Sequence, residues 1–271
     1  MLWFTIAPMP PSPSDPLSPG ALRRTVLEQA HHAGVGHIGS ALSVVEILTA
    51  LFGRVLRGAP DDPDRDRFVL SKGHAALALY AALYEAGRID RAQLEGYCSD
   101  GTLLGTHPEH ELAGIDFSSG SLGHGLSIGA GAALAARMQG SERRAFVLVS
   151  DAECNEGSLW EAVMFAAHHR LANLTAIVDA NGQQALGYTR EVLDLEPLAA
   201  RFEAFGWDAV EVDGHDVDAL ARALDGVRGR PRVVVARTTF GKGVSYMEGL
   251  VKWHYWPMSD ADYEQALAEV T

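Results

Sequence analysis

Cysteine is nearly absent: Cys98 and Cys154 are the only two in 271 residues. Two thiols in a chain of this length build no disulfide framework, which points to a reducing compartment. Positive charge is also scarce, with 22 Lys and Arg against 35 Asp and Glu and a formal net charge of −13. That balance argues against broad attraction to nucleic acid or to an anionic membrane. No apolar run approaches the roughly 20 residues of a spanning helix. The opening MLWFTIAPM has no basic n-region and no small-residue cleavage site, so no signal peptide is expected. There is no G-x-G-x-x-G between a strand and a helix, and TTFGKG lacks P-loop spacing, which disfavours NAD and ATP. The expectation is a soluble, cytoplasmic protein with no membrane or nucleic-acid partner. Residues 1–17 read as a flexible Pro-rich arm and 18–271 as one domain.

What is present favours an α/β fold. A hydrophobic content of 47% supports a full core. Ser18-Pro19 reads as an N-cap followed by proline at the first helical position. The helix it opens puts Leu22, Val26 and Gln29-Ala30 on one side. Ser43 and Glu46 have the spacing of a capping box. Apolar runs such as AFVLV, LTAIVD and RVVVAR alternate with helical patterns, which predicts strands buried on both faces. The expected architecture is a doubly wound, mostly parallel sheet with helices on both faces. Residues 122–136, with Gly123, Gly125, Gly129 and Gly131, predict a helix rich in small residues. Each interior glycine costs about 1 kcal/mol relative to alanine, so another backbone or a ligand is expected to pack close.

In an open parallel sheet, ligands bind beyond the carboxyl ends of the strands. Asp151 follows one strand, and the DAN stretch ending at Asn181 follows the next. A carboxylate and a carboxamide, with a backbone carbonyl nearby, make a hard oxygen set suited to Mg²⁺ or Ca²⁺. A strand-end Asp and a turn Asn are also commonplace without a metal. His37, His74, His107 and His254 lie in loops or at a helix start, mostly beside glycine. Together they point to a polar pocket able to bind phosphate or sugar hydroxyls, or to relay protons. His31, His32, His168, His169 and His215 read as structural or exposed. Cys154 has no paired base and reads as a small residue at a helix start.

The ordered series GHIGS, FVLSKGHAALALYAAL, GTHPE, SSGSLGHGLSIGAGAALA, SDAECNEGSLWEA, LTAIVDANGQ, FGWDAVEVDGHD and TTFGKGVSYMEG…WH resembles the diphosphate-binding half of transketolase. It is most similar to the split form, in which that half is a separate chain. The resemblance implies Mg²⁺ (or Ca²⁺) and thiamine diphosphate as cofactors. It makes Asp151, Asn181 and the Gln183 carbonyl the metal ligands, and places His74 on the cofactor diphosphate. Gly120, Ser121 and Leu122 would border the aminopyrimidine, with Ala152 and His254 also near the cofactor. His37, His107 and His254 would line the substrate channel, and Glu156 would link active sites across a subunit interface. The family's Gly-Asp-Gly is Ser150-Asp151-Ala152 here, which keeps the amide at 152 only if the backbone there avoids positive φ.

The family's pyrimidine-binding domain has no counterpart in this chain. The resemblance therefore implies a second, transketolase-like subunit in a two-plus-two heterotetramer, with helix 122–136 as the candidate interface. The expected reaction is transfer of a two-carbon ketol unit between small sugars or sugar phosphates. Three other readings stay open at this point: transfer to an acyl carrier or unusual sugar, a 2-oxo-acid dehydrogenase α subunit, and a non-catalytic scaffold.

Overall fold

Residues 17–270 are described by a computed structural model, so the Pro-rich arm lies outside the described residues except for Leu17. Helix α1 (Pro19–Ala33) starts at Pro19 behind Ser18 and ends at Gly34, whose left-handed backbone closes it. Its buried stripe of Leu22, Val26, Leu27 and Ala30 packs toward α4, a helix over Ala76–Glu85. Between them run two short helices, α2 (Ile38–Ser43) and α3 (Val45–Ala50).

The capping box expected from Ser43 and Glu46 does not form, and α3 has no side-chain cap. Both side chains are committed elsewhere. Ser43 Oγ donates to Asp179 Oδ2 at 2.8 Å, while Glu46 is held by Arg23 and His215. Buried carboxylates must find donors, and that demand overrides a local cap.

The main sheet comprises β1 (Arg67–Leu70), β2 (Ala145–Ser150), β3 (Leu174–Ala180), β6 (Asp208–Asp213) and β7 (Arg232–Arg237). Its order is β1-β2-β3-β7-β6, and every neighbouring pair is parallel. A small hairpin, β4 (Gln183–Gln184) with β5 (Gly187–Tyr188), follows β3. The remaining helices are α5 (Arg91–Glu95), α6 (Gly125–Met138), α7 (Gly157–His168), α8 (Thr189–Val192), α9 (Leu198–Ala204), α10 (Val217–Leu224) and α11 (Asp260–Glu269).

Strand β2 shows why its sequence is apolar without alternation. Phe146 and Leu148 enter the core beneath α1, α4 and α10, whereas Val147 and Val149 enter the core beneath α6, α7 and α9. Side chains alternate faces, so a strand covered on both sides needs apolar residues at every position. Strand β6 departs from the expectation. It lies at the sheet edge and leaves Glu211 and Asp213 exposed.

Helix α6 begins at Gly125, later than expected, because Gly123 sits in a left-handed turn at φ 83°. Its inward glycines are explained by this chain alone. A Cβ at Gly129 would run into a Val147 methyl, and one at Gly125 into the Ser71 side chain. Gly131 faces open space. Among the described residues, no helix is long and apolar enough to cross a membrane.

These two helical glycines predict opposite outcomes. Gly129→Ala is expected to destabilise by about 1–3 kcal/mol through overpacking. Gly131→Ala is expected to stabilise by up to about 1 kcal/mol through helix propensity. Urea denaturation of both variants measures the two effects.

Candidate active site

The carboxyl ends of β1, β2, β3 and β7 converge, each followed by a polar residue: Ser71, Asp151, Asn181 and Thr238 respectively. Above them opens a cleft of about 460 Å³. Its walls include His37, His74, His107, Gly120, Leu122, Ala152, Glu156, Asn181, Gln183 and His254. Ten of the residues named from sequence are thus brought to one place. Asp151 lies at its floor, 9% exposed, between the lining residues Ser150 and Ala152. Ser121 instead lines an adjoining cleft, which shares His107 and Gly120 with the first.

The two turns carrying Asp151 and Asn181 touch. Asp151 Oδ2 accepts the Gly182 amide at 2.8 Å, and Oδ1 accepts its neighbour, the Ala152 amide, at 2.8 Å. Burial, reinforced by the nearby Asp179 charge, pushes the Asp151 carboxyl up to about 7. Asn181 Oδ1 accepts the Gln183 amide at 3.0 Å. Ala152 belongs to a short 3₁₀ turn (Ala152–Asn155) and does not need positive φ, so the alanine is compatible with this backbone. Ser150 Oγ accepts the Glu153 amide at 3.1 Å and thereby steadies that turn.

Three imidazoles face one another across the cleft. Ring centroids of His37, His74 and His254 are 5.3–5.5 Å apart pairwise. His37 adopts a left-handed backbone at φ 62°, and its amide donates to the His254 carbonyl at 3.1 Å. Phe240 stacks on His254 at 5.9 Å and presses against Gly39, where a Cβ would collide with its ring. The loop bearing Phe240 is fastened from behind. His215 Nε2 accepts the Thr239 amide at 2.8 Å, and its Nδ1 meets Glu46 at 3.0 Å. The structural role expected for His215 is therefore observed.

All three clustered histidines are pushed toward the neutral form. Burial is the largest cause for each, and the positive charge of Lys72 adds to it. His254 falls to about 4, and His74 lies well below the ordinary value. Among the described residues, the Nδ1 atoms of His37 and His254 and the Oε1 of Gln183 are buried without a partner. His107 stands apart from the trio. Its ring edge fits over the Gly73–Gly120 contact, where a Cβ on Gly73 would come within 3.0 Å of Gly120 and of the His107 ring.

Sequence reasoning missed the charges beneath this floor. Lys72 and Asp179 are fully buried and paired. Asp179 also accepts from Ser43 Oγ, from Asn181 Nδ2 at 2.9 Å and from Thr238 Oγ1. Glu153, equally buried, accepts from Ser71 Oγ and from the Gly123 amide at 2.7 Å. A signal existed: Asp179 interrupts an apolar strand, and a charge in such a place needs a partner. Cys154 is inert, with its Sγ buried against the Ser150 carbonyl and its thiol pushed far up by burial. Glu156 precedes α7 at its N-cap position without a side-chain capping bond, exposed at the cleft margin.

The oxygen donors at two adjacent strand ends, the buried imidazole nitrogens without a partner among the described residues and the helix starting at Gly157 line one polar cleft at the carboxyl edge of the sheet, where parallel sheets bind ligands. Comparison with known proteins gives the family. The model for the transketolase, thiamine diphosphate binding domain, matches residues 17–270. The chain belongs to that family and is, in class, a transketolase-type transferase component.

Among its relatives, an apulose-4-phosphate transketolase subunit from Phocaeicola vulgatus is 42% identical over 92% of this chain and 91% of its own length. The 6-deoxy-6-sulfo-D-fructose transketolase subunit SqwG of a Clostridium species is 39% identical over 92% and 93%. The crystal structure of Campylobacter jejuni transketolase superposes with a TM-score of 0.86 at 26% identity, covering 93% of this chain. This chain spans 42% of that longer one.

Two measurements probe the site. His254 holds its folded pKa near 4, below the ordinary 6.5. Its neutral form therefore supports stability above pH 6.5, and that contribution is lost as the pH falls toward 4. NMR titration of its ring is expected to give a midpoint near 4; one near 6.5 would contradict the burial. Lys72→Met alone leaves a carboxylate buried without its counter-charge and is expected to cost about 3–5 kcal/mol. Lys72→Met combined with Asp179→Leu is expected to recover most of that, as read by chemical denaturation.

Proposed function

We propose that this chain is the thiamine diphosphate- and Mg²⁺-binding component of a split transketolase, moving a two-carbon ketol unit from a ketose phosphate to an aldose acceptor. The observation that carries this reading is the meeting of the Asp151 and Asn181 turns beneath three neutral histidines. Residues 18–271 act as one domain, and the protein works in the cytoplasm.

The residues present fit the cofactor and its metal. Asp151, Asn181 and the Gln183 carbonyl supply only oxygen, the donor type Mg²⁺ and Ca²⁺ prefer. The unpartnered buried nitrogens of His37 and His254 suit a polar ligand, which supports the same assignment. When bound, thiamine diphosphate supplies the nucleophilic carbon and the electron sink for C–C cleavage.

The chain's own groups do the rest. His74, held neutral, donates a hydrogen bond to the diphosphate. Gly120, Ser121 and Leu122 border the aminopyrimidine, and Ala152 borders the diphosphate. The neutral rings of His37 and His254, together with His107, orient donor hydroxyls and stabilise the developing oxyanion. Glu156, exposed at the margin, reaches toward another protomer. A separately encoded pyrimidine-domain chain completes the site in a two-plus-two heterotetramer, with the outward face of α6 at the junction. The names of the relatives, both called subunits of transketolases, support a partner. They also support a sugar bearing an anionic group as the substrate class.

Calorimetry and thermal denaturation with thiamine diphosphate and Mg²⁺ test this, with and without the partner chain. Ligand at 100 times its Kd is expected to add about 2.7 kcal/mol of stability. Asp151→Ala is expected to remove that gain, and the chain without its partner to show no ketol transfer. No heat and no stabilisation with the partner present would leave the non-catalytic scaffold reading standing.

A further inference from the structure

A carboxamide has two faces of nearly equal shape, one that accepts and one that donates, and only the oxygen face suits a cation. Asn181 must therefore present the correct face. We infer that Asp179 is the positioning residue that orients the Asn181 amide before any cation arrives, an inference that rests on reading Asp151 and Asn181 as cation ligands.

Asp179 lies two residues before Asn181 along the same strand and turn, so the two side chains fall on one side of the chain. An ionised carboxylate only accepts. Asn181 Nδ2 donates to Asp179 Oδ2 at 2.9 Å, and turning the amide over would set oxygen against oxygen. The amide oxygen is thereby left on the side of the Gln183 turn, where it accepts the Gln183 amide at 3.0 Å. The carboxylate cannot swing away to release this lock. Ser43 Oγ and Lys72 Nζ hold the same oxygen, and Thr238 Oγ1 holds the other. These donors come from α2, from the segment after β1 and from the segment after β7, so the orientation of one amide is fixed by three separate parts of the fold. Lys72 also supplies the counter-charge that makes a fully buried carboxylate tolerable.

The test uses the full chain and Mn²⁺ as the probe, titrated with thiamine diphosphate present and followed by electron paramagnetic resonance. Lys72→Met with Asp179→Leu removes one charge of each sign, so net charge is unchanged and the loss read is one of orientation. Its Mn²⁺ affinity is expected to fall about tenfold or more, the usual effect of removing a group that orients a metal ligand. Thr238→Val strips one of the three holds from Asp179 but leaves Ser43 and Lys72 on the oxygen that receives Asn181, so its affinity is expected to fall by far less than that of the double variant. Parent-like affinity in the double variant overturns the inference, as does an equal loss in Thr238→Val. Failure of the parent itself to bind overturns the proposed function together with this inference. A measurement on the unaltered chain removes dependence on variant folding. In the metal-free chain, the ¹⁵N-labelled side-chain amide protons of Asn181 are expected to exchange slowly with solvent. Rapid exchange there shows an amide that is not pre-oriented and overturns the inference.

Discussion

One buried carboxylate holds the working edge of the sheet together. Asp179 sits at the end of the central strand β3 and gathers donors from Ser43, Lys72, Asn181 and Thr238. Each donor comes from a different stretch of chain, and each stretch also contributes to the cleft. The pair it forms with Lys72 is not a strong source of stability, since desolvating two charges offsets much of their attraction. Its effect is geometric: the strand ends cannot move independently while the carboxylate is fully satisfied. A second carboxylate, Glu153, does the same for the Ser71 and Gly123 turns on the other side of β2. Two acceptor-only groups thus define the floor on which Asp151 rests.

The charge balance of the chain makes the cleft above that floor informative. An acidic protein that binds a phosphorylated ligand needs local compensation. Here Lys72 is already paired with Asp179, so the cleft itself offers hydrogen bonding from a cluster of imidazoles kept uncharged by burial. Neutral rings donate hydrogen bonds without adding further positive charge to a crowded space. The packing that keeps them dry is specific. Phe240 against Gly39 and His254, and the His215–Glu46 brace behind Phe240, fix the rings from the side away from the cleft.

The parallel, two-sided sheet and the main helices were legible in the sequence because each strand covered on both faces had to be apolar throughout, as in β2 and β3; the strand order was not. The edge strand β6, with one open side, broke that pattern. Asp151, Asn181 and the clustered histidines were legible because strand ends and glycine-flanked loops expose side chains. The misreadings share a cause. Ser43 and Glu46 have capping spacing, yet long-range partners claim both, and no local rule contains Asp179 or His215. Gly125 and Gly129 of α6 were correctly read as marks of close approach, but what approaches is the chain's own Ser71 and Val147, and Gly131 meets nothing.

Ala152 carries a wider lesson. Its backbone sits in an ordinary right-handed 3₁₀ turn, so what limits this position is volume and not chirality. Serine at 150 adds a hydroxyl anchor that glycine cannot provide. A search pattern that insists on glycine either side of the acidic residue would discard this chain and any cousin sharing its Ser-Asp-Ala signature. Catalogues built on the stricter pattern would undercount the lineage.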